Sequence, residues 1–239
     1  MAEMHLHSPR DPVPVVLGPS HPCPYLDRRV ARFAYATSLP HGQSGFSKLL
    51  DSGFRRSGLF VYRTACDACR ECTPLRIPVA DFKPDRSQRR TLVKNDDLEV
   101  SVGPARFDVE RAHLYARYLS ARHDGQMSSR PDELEDGLYK SPVETVELTA
   151  RLDEKLVAVG IIDVESNLLS LVYSAWDPAL ANRSLGTAFV LWSVALAQRL
   201  GHAWVHLGYW VPESQHMSYK ARFRPHEVLQ PNGRWRRVE

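Results

Sequence analysis

Arg183-Ser184-Leu185-Gly186-Thr187-Ala188 runs directly into Phe189-Val190-Leu191-Trp192-Ser193-Val194-Ala195-Leu196-Ala197, and the reading of this stretch decides the fold. A short glycine-bearing loop that opens into a helix leaves the first N–H groups of that helix unpaired, pointing at whatever lies ahead of it. Such a place can hold an anion. Phe189, Trp192, Leu196 and Leu200 recur at helical spacing, while Val190, Leu191, Val194 and Ala197 make the opposite side apolar too, so the helix is covered on most sides. Residues 168–176 before it and 203–210 after it read as strands. The result is a β–α–β unit with a ligand site at its loop. The same residues also fit a plain helix start, with Asn182 or Ser184 as N-cap and a glycine that serves packing only.

The chain has 239 residues, of which 43% are hydrophobic, enough to bury a full core in one large or two modest domains. The net charge is only +3. Its basic residues are nevertheless clustered, at Arg28-Arg29 with Arg32, at Arg55-Arg56, from Arg86 to Lys94, from Lys220 to Arg224 and from Arg234 to Arg237. Such clusters suggest a polyanionic partner met along a track, or solvated faces. No run approaches the ~18 apolar residues of a membrane span, and the N-terminus is polar and proline-rich, so a soluble, cytoplasmic protein is expected.

Residues 1–20 read as a flexible lead-in, 21–104 as an N-terminal domain, and 105–239 as the domain built on the loop and helix above. Helices are expected at 43–51, 87–94 and 108–123. Strands are expected at 59–63, 75–82 and 98–102, with 75–82 at a sheet edge because Pro78 cannot donate to a ladder. An antiparallel meander over 145–152, 155–164 and 168–176 follows, and a hairpin over 227–230 and 235–238 closes the chain.

All four cysteines lie near the N-terminus: Cys23, and Cys66, Cys69 and Cys72 in a Cys-x-x-Cys-x-x-Cys run. Without a secretion signal, stable disulfides are not expected, and metal binding leads over four plain thiols. Three thiols at this spacing are closer to an iron–sulfur ligation run than to paired zinc knuckles. Arg63 and Arg70 nearby are expected to favour the thiolate.

The spacing Arg-x-x-Gly-x-Ala at 183–188 matches the acyl-donor loop of the GNAT acyltransferases. Several further stretches, taken together, resemble the arginyl-tRNA–protein transferase family and its bacterial aspartate/glutamate leucyltransferase branch. These are the Cys23 segment, Gly53-Phe54-Arg55-Arg56-Ser57-Gly58 with Val61-Tyr62-Arg63, Cys66 to Cys72, Arg86-Ser87-Gln88-Arg89-Arg90, Arg183 to Thr187, and Leu207-Gly208-Tyr209-Trp210 through Pro225. The resemblance implies an α+β, mixed α/β, GNAT-like acyltransferase fold, with a smaller N-terminal GNAT-like domain that bears the cysteines. It implies transfer of leucine from leucyl-tRNA to proteins that begin with Asp or Glu, marking them for N-degron degradation. It also implies an iron–sulfur cluster, or failing that zinc, on Cys23, Cys66, Cys69 and Cys72, and no DNA or membrane partner. The competing classes are an arginyl-tRNA donor, a CoA-dependent N-acetyltransferase, and a metal-dependent redox sensor that binds RNA.

On that reading the amides of Leu185, Gly186 and Thr187 hold a developing oxyanion or a tRNA phosphate, with Arg183 and Ser184 beside them. Arg89, Arg90 and Lys220 are expected on tRNA phosphates. Arg55, Arg56 and Arg222 are the candidates for the acceptor carboxylate, since a fork of N–H donors matches it bidentately. His123 is a candidate for proton transfer. Tyr209 and Trp210 either stack the terminal adenine or are core aromatics.

Overall fold

The computed structural model describes residues 12–40, 45–122 and 128–239. Two sheets carry it. The smaller has the order β1-β4-β6-β5, from β1 (Val15–Leu17), β4 (Phe33–Ala36), β5 (Arg55–Ser57) and β6 (Phe60–Thr64). A two-stranded ribbon of β2 (His21–Pro22) and β3 (Val30–Ala31) lies beside it in sequence. Helix α1 (Gly45–Asp51) buries Phe46, Leu49 and Leu50 with Val13, Val15, Ala34, Phe54 and Val61, and Leu168 of the larger sheet joins this cluster.

The larger sheet has eight strands. They are β7 (Thr73–Pro78), β8 (Glu99–Pro104), β9 (Thr145–Leu152), β10 (Lys155–Glu165), β11 (Leu168–Trp176), β12 (Trp204–Trp210), β13 (His226–Leu229) and β14 (Trp235–Val238), in the order β14-β13-β7-β12-β11-β10-β9-β8. Strands β7 and β8, which lie within 21–104, thus pair with strands from 105–239. The helices between them are α2 (Arg86–Lys94), α3 (Val109–Arg122), α4 (Pro131–Leu134) and α5 (Leu185–Leu200). No helix among the described residues is long and apolar enough to cross a membrane.

The central strand β10 is buried almost throughout because both of its faces are covered. Leu156, Val159 and Ile161 meet Leu114, Tyr115, Tyr118 and Leu119 of α3. On the other face Ile162 meets Phe189, Val190 and Val194 of α5, which is why that helix is apolar on most sides. Gly160 permits this close approach, since a Cβ there would lie 1.9 Å from the Phe189 ring.

Among the described residues only β11 and β12 pair in parallel, as the β–α–β reading requires, and only over Leu168↔Trp204, Leu169↔Val205 and Ser170↔His206. Beyond these three pairs the strands part.

The structure differs from the sequence reading in three respects. Strand β7 is interior, between β13 and β12, and not at an edge. Pro78 is its last residue, where the ladder passes to the next amide, Val79, which donates to Ala203 O at 2.9 Å. The stretch 12–20 of the expected lead-in contributes β1, with Val13 and Val15 buried, because β4 gives it a partner remote in sequence. Helix α2 begins one residue before the expected 87–94, because Asp85 and Gln88 form a capping box.

A buried ion pair joins the two sheets. Arg56 of β5 donates from Nε to both carboxylate oxygens of Asp163 in β10, at 2.8 and 2.9 Å, and both side chains are 0% exposed. Arg56 Nη1 also reaches Leu138 O and Lys140 O, at 3.3 Å each, and Thr145 Oγ1 donates to Asp163 at 2.9 Å. Replacing Asp163 by Ala leaves the guanidinium buried without its anion. The expected cost is about 3–5 kcal/mol of stability, read as a fall in the denaturant midpoint, while Arg56→Ala and Asp163→Ala together should cost less than the sum of the two.

Candidate active site

The expected acyl-donor loop ends in Ser184, which caps α5 in a left-handed conformation, φ 56°, without a side-chain cap bond. Leu185 is buried in the core, 1% exposed, so only its amide is available for chemistry. Gly186 has a packing reason for lacking a side chain, since a Cβ there would come within 2.8 Å of the Trp176 indole. Thr187 N is already used by Ser184 O at 2.9 Å, and Ala188 N bonds the same oxygen. Arg183 pairs bidentately with Asp97, at 2.6 and 2.9 Å, so its charge is matched within the protein.

Helix α2 is tied to this loop. Lys94 Nζ donates to Asn182 O at 2.8 Å, and Asn95 Nδ2 to Arg183 O at 2.9 Å. Arg86, Arg89 and Arg90 are exposed on α2. The structure therefore gathers a basic helix face and the start of α5, although both come from distant parts of the chain. His123, the expected proton-transfer group, lies outside the described residues.

A second feature lies where β11 and β12 part. A cavity of about 90 Å³ is lined there by Ser170, Leu171 and Val172 of β11, by Leu207, Gly208 and Tyr209 of β12, and by Arg55, Arg56, Tyr62, Tyr25, Met217 and Lys220. Arg55 and Arg56 are neighbours on one strand, so their side chains leave it on opposite faces. Arg56 turns to Asp163, while Arg55 enters the cavity and donates from Nη2 to Leu171 O at 2.8 Å. Arg56 is thus a structural residue, its donors already committed.

Lys220, expected on tRNA phosphate, is instead buried, 7% exposed, and donates to Tyr209 O at 2.8 Å. Burial, and then the neighbouring Arg55 guanidinium, bring its ammonium down to about 7. Burial likewise lowers Arg55 from its usual value and raises the phenols of Tyr25, Tyr62 and Tyr209. The phenols remain neutral at ordinary pH.

Tyr209 is a core residue, 3% exposed, whose hydroxyl donates to Gly53 O at 2.9 Å and accepts from Thr64 N at 3.2 Å. Its ring offers no free face for an adenine, and Trp210 packs against the main core. Arg222 is exposed and is not among the residues that line the cavity. Sequence reasoning missed Tyr25, Tyr62 and Gly208 as lining residues. The one available signal was a glycine inside an otherwise apolar strand, which marks a bulge or a close approach. Gly208 has φ 81° and sits where the β12–β7 register shifts.

Cys72 lies within electrostatic reach of Tyr62, Tyr209 and Lys220 of this cavity. Its thiol is pushed up to about 12 by burial first and then by Cys23, Cys66 and Cys69, so those three sulfurs are within electrostatic reach of it. This reverses the expected effect of Arg63 and Arg70 at Cys72. Arg70 is spent on the loop's own carbonyls, Cys66 O and Cys69 O, and burial dominates. Among the described residues, no group of three His, Cys, Asp or Glu side chains is placed so as to hold a metal ion.

Comparison with known proteins places this geometry. A family model described as arginine-tRNA-protein transferase, N terminus, matches residues 21–90, and one described as arginine-tRNA-protein transferase, C terminus, matches residues 110–230. The aspartate/glutamate leucyltransferase of Halorhodospira halophila is 39% identical over 224 residues, 92% of this chain and 94% of that protein. That of Nitrosococcus oceani is 41% identical over 218 residues, 90% and 92% of the two chains. Among solved structures, L-PGS from Bacillus licheniformis superimposes with a TM-score of 0.53 at 12% identity, covering 87% of this chain and 79% of that one. At that identity the likeness speaks for the fold, which is GNAT-like. Family models over both halves and relatives aligned along nearly the whole of both chains agree: the chain belongs to the arginine-tRNA–protein transferase family.

Proposed function

We propose that this chain is a cytoplasmic aminoacyltransferase that moves leucine from leucyl-tRNA to the N-terminal amine of proteins beginning with Asp or Glu, so marking them for N-degron degradation. Leucine rather than arginine is favoured by the names of relatives at 39% and 41% identity. The observation that carries the acceptor half is Arg55, a buried guanidinium in the cavity at the parting of β11 and β12, with no carboxylate in ion-pair contact among the described residues and only Asp163 acting on it at longer range. A buried unpaired charge costs several kcal/mol, and an acidic acceptor end offsets that cost.

The reaction is aminolysis of an ester: the acceptor's neutral α-amine attacks the aminoacyl carbonyl, and the terminal ribose hydroxyl leaves. With a reference pKa near ~7.7–8.0, an appreciable fraction of that amine is neutral at cytoplasmic pH, so orientation can supply much of the rate. The amides of Leu185 and Gly186 remain the candidates for an anion at the start of α5, an oxyanion or a phosphate. Arg89 and Arg90, with α2 fastened to that loop, are the tRNA-phosphate candidates.

The cofactor reading, an iron–sulfur cluster or zinc, rests on donor chemistry alone: four thiols, three of which act on the fourth, Cys72. No catalytic step is routed through it.

Three measurements test these assignments. Offered labelled leucyl-tRNA, arginyl-tRNA or acetyl-CoA with an Asp-starting peptide, the protein should move the leucyl label. Arg55→Gln should lower that transfer by roughly 10²-fold, about 3 kcal/mol, with little loss for an Asn-starting peptide. Equal losses on both peptides would assign Arg55 to folding or to tRNA. Replacing Arg89 and Arg90 should weaken tRNA binding and reduce the slope of log K against log salt by about one unit for each arginine that had neutralised a phosphate. An unchanged slope would make them solvated surface residues. Protein purified without oxygen should carry stoichiometric iron or zinc and lose it on Cys69→Ser, and sub-stoichiometric metal in fresh protein would remove the cofactor reading.

A further inference from the structure

We propose that Lys220 and Arg55 form one two-cation cradle for the side-chain carboxylate of the acceptor's first residue; this rests on the acceptor reading of the cavity given above.

The geometry begins at Gly208. The point where a Cβ would stand lies 3.5 Å from Arg55 Nε, 3.5 Å from Arg55 Nη2 and 3.5 Å from Lys220 Nζ. Three cationic nitrogens from two distant segments thus surround the space that a side chain at 208 would take. Each cation uses only part of its donor set. Arg55 bonds Leu171 O and Lys220 bonds Tyr209 O, both neutral carbonyls. A guanidinium has five N–H donors and an ammonium three, so donors are left over.

Two like charges buried side by side, with no carboxylate in contact with either among the described residues and only Asp163 acting on Arg55 at longer range, form an unfavourable arrangement that a carboxylate relieves. The cavity of about 90 Å³ exceeds the ~30 Å³ share of a water, and suits a small group rather than a second stretch of chain. An Asn or Gln amide would turn an NH₂ toward donors that cannot accept, so the cradle discriminates by repulsion as well as by attraction.

The groups that face Lys220 are Arg55 from β5, Tyr62 from β6, Tyr209 from β12, and Tyr25 and Cys72 from the loops. Burial raises the three phenols, so they stay neutral and supply no counter-charge to the two cations.

The test uses the full chain and fluorescent peptides identical except for Asp or Asn at the first position, with binding measured in the absence of tRNA. Both peptides share the α-amine, so the ratio of their affinities isolates the carboxylate. Lys220→Arg should keep a high ratio, while Lys220→Met should lower it by about tenfold or more. In turnover assays Lys220→Met should raise KM for the Asp peptide more than it lowers kcat. A Lys220→Met ratio equal to that of the wild type overturns the proposal. So does a Lys220→Met effect confined to kcat, or one that appears only in leucyl-tRNA binding. Should Lys220→Met fail to fold, Lys220→Gln takes its place with the same expected loss. If the ratio behaves as stated but no leucine is transferred, the cradle stands and the transfer reading fails. Transfer to Asp peptides with a ratio insensitive to Lys220 sinks the cradle alone.

Discussion

The ion pair between Arg56 and Asp163 sets the position of everything around the cavity. Its two side chains are wholly buried, and its hydrogen bonds extend to Thr145 and to the carbonyls of Leu138 and Lys140, so breaking it strands several polar groups at once. It fastens an edge strand of the small sheet across the middle of the large one. Because strand neighbours point oppositely, fixing Arg56 on one side fixes Arg55 on the other, aimed between β11 and β12. A structural residue thereby aims a functional candidate.

The same logic of opposed faces runs through the large sheet. β10 is covered by α3 on one face and by α5 on the other, and the Gly160–Phe189 contact sets how closely α5 lies. At its start, α5 meets the 182–184 loop, to which α2 is bonded through Lys94 and Asn95. A basic helix, the start of α5 and the strand on which the cavity opens are thus brought together, although residues 86–94, 183–187 and 207–209 are far apart in the chain.

How much of this was legible in sequence follows from the range of each interaction. The β–α–β unit, the meander and the final hairpin were readable because their periodicity is local and their turns are short. Strand β1 was not, because three residues of Val-Val-Leu carry no signal until β4 supplies a partner. Pro78 misled because the rule against proline inside a sheet does not apply at a strand's last residue. At the site, the clusters Arg55-Arg56 and Lys220–Arg224 were visible as charge, but burial sorts their members. Arg56 is consumed by Asp163, Lys220 faces inward, and Arg222 faces out. Nothing in one sequence distinguishes adjacent arginines that differ only in the parity of their strand position.

The early parting of β11 from β12 has one more consequence. A gap between parallel strands is an edge opened inside a sheet, and open edges invite another backbone to pair with them. Here the carbonyls of Leu171 and Tyr209 are taken by cationic side chains, so the seam is closed to strand addition. A polypeptide end that enters meets charge and not a ladder. On the proposed acceptor reading such an end would be held without being read in register, its later residues unconstrained by that seam.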